Sequence, residues 1–408
     1  MNFFKRHILW GVYETFSYRE VYKGIKDLWK NNLIKGNEVK QFEEEFARFL
    51  GVKYAYSFGA GRMALYSILK AMHLKEGSEV IVTGYTCVVV PAAVLYAGLK
   101  PVYVDIEDYN LNIKELENKI TKKTKVIIAQ HTYGIPLAME KITKIAKKHK
   151  LKVIEDCAHV IGGKYHGRML GTFGDAAFFS FENSKVISTI EGGMAVTNSK
   201  RLEKELKKYY EKTPFPSKNY VKKCLFNLTR AVLNDPKNYC LRRIFDPLGY
   251  RTHLFITSTT EEDCQGIKLQ DYPRRLPNAL ARVGRRQLRR LNAMNAHRRK
   301  IALYYNVHLK NLEKRQLQET YLLRYPLKVK KKEKLKRSLL QKGIEVGEWF
   351  EAPLHPKETK HEAFNYLFGE CPKSETLTKE IINLPIGPKV TLKDAEKIIR
   401  YIKVYQRI

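Results

Sequence analysis

The chain has 408 residues, 44% of them hydrophobic and 11% aromatic, which excludes global disorder and is enough for a large α/β domain with a smaller one appended. Seventy-five Lys and Arg against 42 Asp and Glu give a formal charge of +33, a field that attracts polyanions without choosing among nucleic acid, an anionic membrane and phosphorylated substrates. Six scattered cysteines with no CxxC pair and no metal spacing favour free thiols and a reducing compartment over a disulfide framework.

In chain order, residues 1–35 read as a basic, aromatic extension without a sustained apolar leader or a small-residue cleavage site. Val39, Phe42, Phe46 and Leu50 then fall on one helical face that ends at Gly51, and a second helix opens near Gly61. Short β-branched runs follow at 79–83, 101–105, 125–129 and 152–156, separated by amphipathic segments such as 140–150. Strands alternating with helices at this spacing predict a mostly parallel sheet covered on both faces. Two further strands, 176–181 and 192–198, flank a polar stretch containing Lys185. The longest apolar run, Cys87–Leu99, contains Pro91 and is too short to span a membrane, so the chain reads as cytoplasmic. The expected organisation is a large α/β domain over 36–200, a basic insertion over 201–272, and a long helix with a small α+β domain over 273–408. Within that last part, one helix is predicted from about 277 to 307. A capped helix closes the chain from Thr391, with Asp394 at the capping-box position.

Three stretches lie where an α/β sheet places its ligands, at the carboxyl ends of strands. In SFGAGRMAL, Gly59, Ala60 and Gly61 open a helix whose free N–H groups suit a phosphate, and Arg62 offers a charged donor. In VIEDCAHVIGG, a strand delivers Glu155 and Asp156 and then His159; the plain alternative is a capped turn with a surface histidine. In FFSFENSKVISTIEGG, Lys185 lies between two core strands, after Ser180 and before Glu191-Gly192-Gly193, where a desolvated amine becomes nucleophilic. An amine, a carboxylate and phosphate donors together match pyridoxal phosphate, which needs a Schiff-base lysine, an acidic partner for its ring nitrogen and a phosphate cradle.

These segments resemble the sugar aminotransferases of the DegT/StrS type, within the fold-type I pyridoxal phosphate enzymes. GNEVKQFEEEFARFLGVKYA, GSEVIVTGYTCVVVPAAVLYAGLKPVYVDI, TKVIIAQHTYGIP, the two cofactor motifs, GEWFEAPLHP and INLPIGPKVT occur in family-like order. The resemblance implies an aspartate-aminotransferase-like large domain with a smaller C-terminal α+β domain. It implies Lys185 as Schiff-base lysine and proton carrier, Asp156 against the ring nitrogen, His159 near the ring, and Ser180, Gly61 and Arg62 around the phosphate. It also implies ping-pong transfer from Glu or Gln to a keto-sugar, usually nucleotide-linked, by a homodimer. Three departures stand out: Arg62 replaces a threonine, Cys87 replaces a stacking aromatic, and Pro273-Arg274-Arg275 replaces an Asn-x-Arg.

The charge suggests two anionic partners. One is a nucleotide diphosphate-sugar against Arg62, Arg274, Arg275 and the Arg282/Arg286/Arg290 face. The other is a membrane surface met by FFKRHILW and the 219–233 segment, which would imply a lipid-linked substrate. A non-catalytic nucleic-acid-binding regulator rests on charge alone, for no helix-turn-helix, zinc-finger or RNA-recognition signature is present.

Overall fold

The computed structural model describes residues 7–8, 13–252, 254–313 and 317–406. Its centre is a seven-stranded sheet. The strands are β1 (Tyr54–Phe58), β2 (Glu79–Thr83), β3 (Lys100–Val104), β4 (Thr124–Gln130), β5 (Lys152–Asp156), β6 (Ala176–Ser180) and β7 (Gly193–Thr197). They lie in the order β1-β7-β6-β5-β4-β2-β3. The neighbours from β6 to β3 pair in parallel, whereas β7 runs antiparallel to both β6 and β1. β2 and β6 are buried along their whole length, as β-branched and aromatic runs covered on both faces must be.

Helices α1 (Tyr18–Asp27), α2 (Asn37–Leu50), α3 (Gly61–Ala71), α4 (Val89–Tyr96) and α5 (Met139–Lys148) precede or join these strands. Phe46 of α2 packs edge-on against Phe179 and Phe181, and Phe42 tilts onto Phe181, which fastens the helix to the lysine-bearing side of the sheet. Beyond the sheet come α6 (Lys200–Lys212), α7 (Lys218–Phe226), α8 (Tyr239–Arg251) and the short α9 (Glu261–Gln265). Leu202, Leu206 and Tyr210 of α6 share a core with α3, so residues 200–212 belong physically to the sheet's cover.

The long helix expected over 277–307 is two helices, α10 (Asn278–Leu288) and α11 (Leu291–Leu309). Each half serves a different body. α10 packs on α2, and α11 packs on the C-terminal helix α14 (Leu392–Gln406). Between them lie α12 (Lys332–Gln341), α13 (Pro372–Glu380) and an antiparallel pair, β8 (Tyr325–Lys328) with β9 (Ile381–Leu384). Thr391 and Asp394 exchange the expected capping-box bonds.

The 219–233 segment also departs from a single exposed amphipathic helix. Val221, Cys224, Leu225 and Leu228 are buried in the main core, so this face does not meet solvent. Of FFKRHILW, only His7 and Ile8 are described and both are buried; the rest lies outside the described residues. The Arg282/Arg286/Arg290 face is likewise spent internally. Arg282 and Arg286 pair with Asp27, Arg282 also with Glu38, and Arg290 with Glu20, so these cations strap α1 and α2 to α10.

Candidate active site

The predicted chemistry gathers at one edge of the sheet, where the parallel strands present their carboxyl ends. β5 ends at Asp156, β6 at Ser180, and β1 just ahead of Gly61. Because β7 runs the other way, its first residue, Gly193, reaches the same edge opposite both Phe58 and Ser180. One pocket there is lined by Gly61, Arg62, Cys87, Asp156, His159, Ser180 and Lys185 together.

At one end, α3 begins at Gly61 without a side-chain cap. The N–H groups of Met63 and Ala64 bond to Ala60, and within the described residues those of Gly61 and Arg62 have no acceptor. A Cβ on Gly61 would lie 2.9 Å from Ser180 Cβ, and one on Gly193 would lie 2.4 Å from the Gly61 nitrogen. Two glycines therefore let three backbones close around two free N–H groups beside the Ser180 hydroxyl. A helix start of this kind holds an anion. The Arg62 guanidinium does not stand free here: it is ion-paired with Asp263 of α9, whose carboxylate also caps Thr260.

Asp156 is buried, and its Oδ1 accepts from the Ala158 N–H at 2.9 Å. Burial pushes its carboxyl up to about 6, against the pull of Lys185 and His131. A carboxylate so desolvated is stabilised by a cationic N–H partner. Burial also brings the Lys185 amine below its ordinary value, and its Nζ lies 4.4 Å from the Trp349 ring centroid. The carbonyls on either side of this lysine are held by two buried arginines, Ser184 by Arg324 at 3.1 Å and Val186 by Arg298 at 2.9 Å. His159 Nδ1 accepts the Tyr133 N–H at 3.1 Å, which places the ring proton on Nε2. Burial and the neighbouring Lys185 keep this imidazole neutral, and it stacks on Trp349 at 5.3 Å and 14°.

Cys87 lines the pocket through a two-residue strand, Thr86–Cys87, paired with Leu354–His355. Burial raises the thiol, so at neutral pH it is a small uncharged wall. The same pairing brings in His355, whose imidazole burial lowers to about 3. Trp349, Phe350 and His355 are pocket residues that motif reading treats only as a landmark, and Ser258 and Thr259 enter from the 201–272 region. An aromatic pair followed by Pro-Leu-His-Pro in a non-periodic segment was the available signal. Arg274 and Arg275 are committed elsewhere, the first to Glu191 and Asp271, the second to carbonyls of Tyr210 and Thr213. Buried Glu155 does not face the chemistry; it accepts N–H bonds from Gly171, Phe173 and Gly174 and pairs with buried His131.

A family model for the DegT/DnrJ/EryC1/StrS aminotransferases matches residues 19–403. The chain belongs to that family. It is a pyridoxal-phosphate-dependent aminotransferase. Over 395 residues it is 30% identical to the UDP-N-acetyl-3-dehydro-alpha-D-glucosamine 3-aminotransferase of Acidithiobacillus ferrooxidans, covering 94% of this chain and 93% of that one. Over 170 residues it is 45% identical to the GDP-perosamine synthase of Escherichia coli O157:H7, covering 41% and 47% of the two chains. The fold matches the Helicobacter pylori aminotransferase PseC, involved in the biosynthesis of pseudoaminic acid. That match has a TM-score of 0.75 at 21% identity, over 98% of this aminotransferase and 100% of PseC. The residues present fit the family's cofactor. Two orphaned N–H groups and a serine form a cradle that a Cβ would fill, and a desolvated carboxylate and a desolvated amine share its pocket.

Proposed function

We propose that this aminotransferase moves an amino group from glutamate or glutamine to the keto carbon of a nucleotide-linked sugar, in two half-reactions at one site, for cell-surface glycan or related synthesis. The observation that carries the site assignment is the convergence of Lys185, Asp156 and the free N–H groups of Gly61 and Arg62 in one buried pocket. The sugar assignment draws support from the activities for which the full-length and partial relatives are named.

Bound pyridoxal phosphate supplies an aldehyde for the amine and an electron-accepting ring. Ser180 and the Gly61 and Arg62 N–H groups would hold its phosphate, and Asp156 would keep its ring nitrogen protonated. Lys185 Nζ, deprotonated more readily because it is buried, would carry the proton from the donor's Cα to the cofactor's C4′. Neutral His159, with its proton on Nε2, would donate to the ring's phenolic oxygen, and Cys87 and Trp349 would keep water from the pocket they line. The active species is a homodimer and cytoplasmic in this reading. Five described cysteines are free thiols, and no helix among the described residues is long and apolar enough to cross a membrane.

The test is a visible absorbance spectrum before and after borohydride, with peptide mapping. Loss of the band and a cofactor mass fixed on Lys185 is the expected result. Donors and nucleotide-linked keto-sugars are then screened, and particle mass gives the oligomer. Absence of cofactor after loading, or an adduct on another lysine, overturns the site assignment; turnover only with non-sugar ketones overturns the substrate class.

A further inference from the structure

Helix α8 is inside out for a water-exposed helix. Two of its charged residues turn inward: Asp246 reaches Arg230, and Arg242 reaches Glu345 at 2.7 Å. Its apolar residues turn outward. Leu241, Ile244, Phe245 and Leu248 recur at helical spacing and are 46%, 65%, 46% and 55% exposed. This orientation is fastened, since Gly249 sits so close to Phe255 that a Cβ there would lie 2.2 Å from its ring. Leu254 and Phe226 extend the exposed apolar surface, linked by the Asn227 amide, which donates to the Leu254 carbonyl at 3.1 Å. An exposed apolar stripe of this kind marks an interaction surface.

Charge decides what covers it. Arg243 and Arg251 on the helix, Lys237 just before it and Lys222 on α7 are exposed beside the patch, on a chain of net charge +33. A second copy laid on the same patch would bring these cations together. An anionic bilayer instead accepts the apolar stripe among its acyl chains and the cations among its headgroups. The patch also adjoins the catalytic pocket. Tyr250 and the 256–259 segment that follows α8 line a cleft with Trp349 and His355, and Ser258 and Thr259 continue into the pocket itself.

We propose that the outward face of α8 is a docking surface for an anionic lipid bilayer, which sets the mouth of the active site beside the headgroups. The N-terminal stretch and the 219–233 face are not needed for it, and it does not depend on which sugar is aminated.

The test is co-sedimentation of the cofactor-loaded protein with vesicles of 3:1 phosphatidylcholine and phosphatidylglycerol, against phosphatidylcholine alone. I244D/L248D changes only exposed side chains; cofactor absorbance and particle mass report that it is intact. The expected result is binding to the anionic vesicles that falls at least tenfold in the variant, with absorbance and mass unchanged. Three results would overturn the proposal: no binding by the unaltered protein, equal binding by the variant, or a halved particle mass in the variant, which would give the face to a second copy.

Discussion

Asp263→Asn is the most informative single change outside the lysine. It removes the charge opposite Arg62 and keeps an oxygen for the Thr260 N–H. The two side chains are 10% and 3% exposed, so water does not replace the lost carboxylate. Stranding one member of a buried ion pair costs about 3–5 kcal/mol, since the remaining charge stays desolvated. For a chain of this length, with about 2 cal/mol/K of unfolding entropy per residue, that lowers Tm by roughly 4–6 °C. Arg62→Met in the Asp263→Asn background removes the stranded charge and is expected to recover most of the loss, a coupling of about 2–4 kcal/mol. Calorimetry at one scan rate on all four proteins of the cycle gives the number. A loss under about 1 °C for Asp263→Asn, or a double variant no better than the single one, would refute the view that Asp263 holds the guanidinium against the start of α3.

Three further outcomes are expected. In cofactor-free protein, Asp156 titrates near 6 rather than at its ordinary 3.8, so the folded form holds the extra proton between these values and stability falls as pH rises through that window. The loss is on the order of 2–3 kcal/mol, seen as a Tm drop of about 2–4 °C between pH 4 and 7 that Asp156→Asn lacks. A Gly193→Ala side chain would collide with the Gly61 backbone, so absorbance titration should give a cofactor Kd raised by about tenfold or more, roughly the loss of one charge-assisted hydrogen bond. Arg298→Met frees the Val186 carbonyl and loosens Lys185, which should cut kcat by about 10–100-fold, the scale of a misplaced catalytic group, with the borohydride adduct still formed.

Six of the seven strands and the lysine loop were legible because they rest on short-range patterns, whereas β1, Tyr54–Phe58, has no β-branched residue and was missed. β-Branched and apolar runs separated by helical periods specify parallel strands, and parallel strands put Asp156 and Ser180 at one edge. The pocket's far wall was not legible. Trp349 and His355 sit in a segment without periodicity, brought in by pairing with Thr86–Cys87 more than 260 residues earlier. Charge was the poorest guide. Arg282, Arg286 and Arg290 look like a cationic face in sequence, but their partners Asp27, Glu38 and Glu20 are visible only once α1 and α2 lie against α10. For α8 the helical stripe at 241–248 was present in sequence, yet periodicity alone does not say whether such a stripe turns inward or outward.

The reversal of β7 has a consequence for how such an enzyme can change. Lys185 rides on a span whose two ends, Ser180 and Gly193, are register neighbours in one sheet, cross-tied by the Phe181–Gly192 and Thr189–Phe181 bonds. The reactive amine is thus carried like a keystone between fixed abutments rather than on a free arm. The outward face of α8, which is exposed and packs on none of these residues, can change its side chains without displacing it. A lineage can therefore rebuild the approach to the site, and with it what arrives there, while the amine keeps its place.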